Sequence, residues 1–270
     1  MAIFQNNAEG GVNGVTPTTS DSGSGDAWAN VVKATGAILQ YDNSAPLNGL
    51  MDYVFGNRGT AGASYLEAQD GDLTTHFNRV YFKFDVADIT QSMNILTMRS
   101  SAGVVGGIIG LQATEKLRIA SADGTTIFTL ATTLTQNTRY RLEWKFDANG
   151  ATCGLQVKLF TGDSTTVLED SGAQTVTPGS SITTWRTVRM GITNSVANAP
   201  SSSGLLHMDD PLFFATDWPG PSLLNQQARP DADIAAAGWT PTPGSPTTLF
   251  DKVDDVTTDD ADYITSPVAS

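Results

Sequence analysis

A chain of 270 residues with 40% apolar and 16% charged residues, 26 glycines and 12 prolines suits many short strands and turns, not helical bundles. The formal charge of −13 argues against a nucleic-acid or anionic-membrane partner, since both need a positive counter-surface. The single cysteine, Cys153, excludes a disulfide within the chain, and no stretch approaches the roughly 20 apolar residues of a membrane span.

In chain order, Ile3-Phe4 reads as a first edge strand, and Thr16 to Asp26 as a loop rich in small polar residues. Its start, Met1-Ala2-Ile3-Phe4, has neither a basic nor an apolar leader region, so folding in a cytoplasm is expected. Short strands are predicted at Ile38 to Tyr41 and Leu50 to Phe55. Arg79 to Val86 alternates cleanly, with Val80, Phe82, Phe84 and Val86 on one face and Tyr81, Lys83 and Asp85 on the other. Ile95 to Arg99, Val104 to Leu111, Lys116 to Ala120 and Thr126 to Leu130 follow at close spacing. Gly106-Gly107 inside an apolar run predicts a bulge or a close backbone approach.

Thr138 to Asp147 is the clearest strand of the chain. Arg139, Arg141, Glu143 and Lys145 share the parity expected to face water, while Tyr140, Leu142, Trp144 and Phe146 share the parity expected to face a core. Asp147-Ala148-Asn149-Gly150 then reads as a tight turn, and Cys153 to Phe160 as the returning strand, with Cys153 buried as a small hydrophobe. Val167 to Asp170, Thr184 to Thr193 and Leu205 to Ala215 complete the pattern, the last interrupted at Pro211, which predicts an edge position or a bulge. A dozen or so strands and no sustained 3.6-residue period predict two packed antiparallel sheets and little helix.

After Trp218-Pro219-Gly220-Pro221 the composition changes. Residues 231–270 hold eight aspartates against Lys252 alone, a local charge of −7. The apolar residues there are too few to bury a core, so the segment is expected to lie extended on another surface. Trp239, Phe250, Tyr263 and Ile264 would be its interface anchors. The expected division is a β-domain over 1–222 and an acidic Pro/Thr/Asp-rich docking arm, or an incomplete second domain, over 223–270.

Catalytic signals are sparse. A retaining glycosidase needs two carboxyl groups about 5–5.5 Å apart, yet no glutamate here has a carboxylate two residues on. Glu143, between Arg141 and Lys145, reads as a solvated cross-strand ion-pair member. His207 and Asp209 share a strand face that could hold a metal, but bland burial or exposure is the simpler reading; one Cys and two His rule out a structural zinc site of the Cys/His type. Asp70-Gly71-Asp72, Asp147-Ala148-Asn149 and Asp209-Asp210 could offer calcium its oxygen ligands, although aspartate is common in turns for backbone reasons alone. No catalytic residues and no obligatory cofactor are expected.

Arg139 to Gly150, the paired Gly154 to Phe160 and the closing Leu206-His-Met-Asp-Asp-Pro-Leu-Phe-Phe resemble a concanavalin A-like (lectin/glucanase, laminin-G-like) jelly roll. That resemblance implies an all-β, antiparallel two-sheet sandwich and, without glycanase carboxylates, binding or structure in place of catalysis. The segments Arg229 to Pro241, Leu249 to Asp255 and Asp259 to Pro267 resemble a stretch recurrent in virion proteins of tailed bacteriophages. It implies a non-enzymatic minor tail or capsid decoration protein, with other virion proteins and copies of itself as partners and host glycans as a further one. A glycan depolymerase or lyase, or a free lectin, is the alternative on the same fold.

Overall fold

The computed structural model describes residues 3–56, 62–85, 91–196 and 206–222, together with two short strands beyond them. The chain divides into two compact units, Met1–Ser222 and Leu223–Ser270.

The first unit contains, in chain order, β1 (Phe4–Asn7), β2 (Ser24–Gly25), β3 (Asn30–Lys33), β4 (Ile38–Asp42), β5 (Asp52–Gly56), β6 (Gly62–Leu73) and β7 (Thr75–Phe84). It continues with β8 (Met93–Arg99), β9 (Val105–Leu111), β10 (Lys116–Ala120), β11 (Thr126–Thr133), β12 (Tyr140–Asn149) and β13 (Thr152–Thr161). The last four are β14 (Glu169–Asp170), β15 (Gln174–Val176), β16 (Trp185–Val196) and β17 (Leu206–Ala215). In the second unit β18 (Thr240–Pro241) pairs antiparallel with β19 (Ile264–Thr265). Among the described residues the only helical turn is the short 3-10 segment Ala8–Gly10, and no helix is long and apolar enough to cross a membrane.

Two antiparallel sheets form a jelly-roll sandwich. One has ten strands, in the order β14-β13-β12-β7-β17-β1-β2, with β15 on β13 and β5 and β4 continuing from β17; the other has seven, β11-β10-β9-β8-β16-β6-β3. A single apolar cluster fills the space between them, taking Val80, Phe82, Leu142, Trp144, Phe146 and Val157 from the larger sheet and Leu96, Ile109, Trp185, Val188 and Met190 from the smaller. Along β7, β12 and the Val188–Met190 part of β16 these fall at alternate positions, as a two-residue period requires, and Trp185 joins them across the register shift between Trp185 and Thr187.

β12 and β13 pair without a slip from Tyr140↔Thr161 to Asn149↔Thr152, leaving Gly150-Ala151 as a two-residue loop. Only Gly150 of the Asn-Gly step takes a positive φ, 73°, so the glycine alone supplies the turn's left-handed residue. Gly106 and Gly107 satisfy both readings of a glycine pair. The β8–β9 register shifts beside them, and a Cβ on Gly107 would sit 2.6 Å from the Phe146 ring of the opposite sheet.

Several expectations need correction. β1 is not an edge strand, since β17 and β2 flank it. Residues 62–73, including Asp70-Gly71-Asp72, form the long strand β6 and not a turn, and the chain crosses at Thr74 from the smaller sheet to the larger. β17, by contrast, has the bulge expected at Pro211, between Asp209 and Leu212, and is interior, with β7 on one side and β5 and β1 on the other. Asp210 and Phe214 absorb the bulge with positive φ angles of 50° and 65°. Val86 lies outside the described residues.

The largest correction concerns β12. Arg141 and Glu143 are 1% and 2% exposed, so the middle of the parity expected in water is buried as well, while Arg139 and Lys145 at its ends stay half-buried.

Candidate functional site

The outer face of the ten-stranded sheet gathers most of the buried charge among the described residues. β7 contributes Arg79, Tyr81 and Lys83; β12 contributes Arg141 and Glu143; β17 contributes His207, Asp209 and Asp210; and β5 contributes Asp52. All nine are buried. Strand alternation against core-facing neighbours places all but Asp210 on this face; Asp210, next to Asp209, is brought there by the bulge in β17.

Three segments of the chain cover this face. Arg141 donates through Nη1 to the Gly162 carbonyl at 3.0 Å, through Nη2 to the Ser164 carbonyl at 2.9 Å and through Nε to Glu143 Oε1 at 2.8 Å, and stacks 4.1 Å over Phe160. Glu143 also lies directly across from Arg79 on β7 and Lys158 on β13. A buried carboxylate is tolerable in such cationic surroundings.

Arg139 reaches both the Leu47 carbonyl and Asp163, tying the loop after β4 to the loop after β13. The Tyr81 hydroxyl donates to Asp163 Oδ1 at 2.7 Å and accepts from the Ser222 amide at 2.8 Å. Arg79 donates to the Gly220 carbonyl at 3.2 Å and lies 3.4 Å from Asp210. Trp218 completes the cover, edge-on to Phe77 and beneath the Lys158 ammonium at 3.9 Å. The Trp218-to-Ser222 stretch, where the sequence composition changes, is thus part of the domain's wall.

At one end of the face, His207 Nδ1 lies 3.0 Å from Asp52 Oδ2, and its Nε2 lies 3.8 Å from Asp85. Burial opposes a charge on His207, but its hydrogen bonds to Asp52 and Asp85 outweigh that and lift its pKa above the ordinary value. Burial also raises the Asp52 carboxyl. The expected partner, Asp209, is occupied elsewhere: its Oδ1 accepts from the Asp210 amide, and burial holds its carboxyl well above the usual range.

His76 occupies the inner face of the same sheet, fully buried between Phe146 and Phe214, with Nδ1 against the Asn78 amide. Burial drives its pKa down to about 4, so it is a neutral core residue at pH 7.

Cys153 is buried, as its strand parity requires. Of the predicted interface anchors, Trp239, Phe250 and Tyr263 lie outside the described residues, and of Ile264 the structure gives only its backbone pairing in β19. Two shallow hollows lie at the sandwich rim and share Asp26. One, of about 230 Å³, is lined by Ile3, Phe4, Ala27, Gln69 and Asp70, the other, of about 260 Å³, by Gln5, Asn7, Ser24 and Gly25.

The outer face therefore holds groups capable of proton transfer, Tyr81 and His207, beside cations, but each is engaged by the protein itself. Sequence reading identified the strands and missed this arrangement. Its one available signal was the unusual density of Arg, Lys, Tyr and His on the outward parity of β7, β12 and β17.

No family model and no curated protein matches this chain. Similar solved structures exist. The cellulose-induced protein Cip1 is 17% identical over 68% of this chain and 88% of its own, with a TM-score of 0.48. The basic winged bean lectin is 9% identical over 78% and 97%, at 0.42. The alginate lyase AlgAT5 of polysaccharide lyase family 7 is 14% identical over 78% and 93%, at 0.39. Lectins and glycan-active enzymes thus both occur among the sandwiches this chain is similar to. With these TM-scores below 0.5, the likeness supplies no residue role, ligand or activity.

Proposed function

We propose that this chain is a non-enzymatic structural protein on the surface of a tailed-phage particle, a minor tail or capsid decoration protein. In this reading residues 1–222 are the displayed sandwich and 223–270 the arm that docks on other virion proteins or copies of the same chain. The observation that carries the non-enzymatic reading is the covered outer face: Arg79, Tyr81 and Arg141 spend their hydrogen bonds on Gly220, Ser222, Asp163, Gly162 and Ser164 of the same chain. A polymer substrate would have to displace all three covering segments. Host glycan, where it is met, would be met at the rim hollows around Asp26. Truncation after Ser222 should leave a cooperatively folding sandwich that no longer enters particles, and normal incorporation of the truncated chain would refute the docking arm.

A second reading, a glycan lyase or depolymerase, draws on one specific feature, the proximity of Tyr81 and His207 to Arg79 and Lys83 on adjacent strands. Release of reducing or unsaturated ends from host-envelope polysaccharide separates the two. No release is expected.

A further inference from the structure

We propose that Asp42, Asp52 and His207 form a binding site for a divalent cation of the first transition row, of the manganese or zinc type. The three residues come from adjacent strands β4, β5 and β17, and each offers one ligand atom within 4.8 Å of the others. Asp42 and Asp52 are direct register partners, an arrangement of like charges that destabilises a strand pair unless something neutralises it.

The second observation is independent of the clustering. Asp52 is fully buried, yet its Oδ1 has no hydrogen-bond partner. A buried carboxylate oxygen left without a partner is costly, on the order of 1–3 kcal/mol or more, and a cation in the cluster would satisfy it.

His207 is oriented for the task. A metal on Nδ1 takes the place of the proton shared with Asp52, and Nε2–H then points toward Asp85, the carboxylate that would fix ring orientation as outer-shell partners of metal-bound imidazoles do. Metal bonds of about 2.0–2.2 Å hold ligand atoms roughly 3–3.5 Å apart, so the three ligand atoms, within 4.8 Å of one another, would draw together, with Asp42 half-buried at the end of β4 as the least confined of them. The imidazole nitrogen selects against calcium, which prefers an all-oxygen shell, and for a transition cation. The role is structural: the ion would fasten the β4–β5 extension to β17.

The test uses the full chain, freed of metal with a chelator and titrated with MnCl2, ZnCl2 and CaCl2 in parallel. One tight equivalent of Mn2+ or Zn2+ is expected, with a rise in melting temperature and selective paramagnetic broadening of the His207 imidazole resonances by Mn2+. Asp52→Asn should weaken binding at least tenfold, whereas Asp259→Asn/Asp260→Asn in the acidic segment should leave it unchanged. The broadening is read on the unaltered protein and stands even if Asp52→Asn fails to fold. Unbroadened His207 resonances at saturating Mn2+, wild-type affinity in Asp52→Asn, or tight binding of Ca2+ alone would overturn the assignment.

Discussion

Trp144 and Arg141 stand three residues apart on β12 and are almost equally hidden, at 0% and 1% exposure, but they are hidden by different things. Trp144 is covered by the opposite sheet and by Phe213, whose ring centre is 5.7 Å away. Arg141 is covered by Gly162 and Ser164, carbonyls of a loop just past the neighbouring strand. One face of the ten-stranded sheet is buried by the hydrophobic effect, which asks only for volume and apolarity. The other is buried by charge-assisted hydrogen bonds, which ask for matched partners and penalise a missing one heavily. The difference teaches that the outer face works as structure here, because its polar groups are used to fasten loops.

The largest expected effect breaks the apolar side. Trp144→Ala should destabilise the domain by about 3–5 kcal/mol, as large-to-small core changes do; a loss well under 1 kcal/mol in denaturant unfolding would mean the inner face is misassigned. On the charged side, Arg141→Met should cost about 3 kcal/mol, because Glu143 and two carbonyls lose their partner in a buried site. An exposed pair would lose only about 0.2–1 kcal/mol, so the same unfolding experiment sharpens the contrast.

The buried His76 extends the comparison to pH. Below about 6.5 the unfolded chain protonates the His76 position, but the native imidazole does not until about 4. The unfolded state then binds more protons, so stability falls as pH drops through that window, by about 3 kcal/mol in total. Replacing His76 with Phe should remove this component, seen as a shallower fall of stability in the variant than in wild type from pH 7 to pH 4. An unchanged pH dependence would place His76 outside the core. The smallest effect is expected for Tyr81→Phe, about 1–2 kcal/mol for the hydrogen bonds from Ser222 and to Asp163. Its clearer readout is faster proteolysis between Trp218 and Ser222, and unchanged cleavage there would show that Tyr81 does not hold that segment.

Much of the sandwich was legible in the sequence, because strand parity is local. Tyr140, Leu142, Trp144 and Phe146 alternate within seven residues, and nothing distant is needed to choose their face. β6 was not legible, since Gln69-Asp70-Gly71-Asp72 carries turn chemistry inside an extended segment that changes sheets just afterwards. The state of the outer face was hidden for a different reason. Whether Arg141 meets water depends on Gly162 and Ser164, more than 20 residues on, and His207 finds Asp52 from 155 residues away. Spacing along one strand suggested Asp209 as that partner. Topology overruled it by bringing β5 alongside β17 and bulging the chain at Asp209-Asp210. The docking arm and its anchors Trp239, Phe250 and Tyr263 remain readings of composition and resemblance.

The measurement that bears most directly on the covered outer face is the coupling energy between Arg141 and Glu143, from a double-mutant cycle of Arg141→Met, Glu143→Leu and the pair, followed by denaturant unfolding. A closed, structural face predicts a coupling of about 2 kcal/mol or more, with the double variant far less damaged than the sum of the singles. A coupling under about 0.5 kcal/mol, the value of an exposed pair, would mean that the face opens to solvent and would contradict the account.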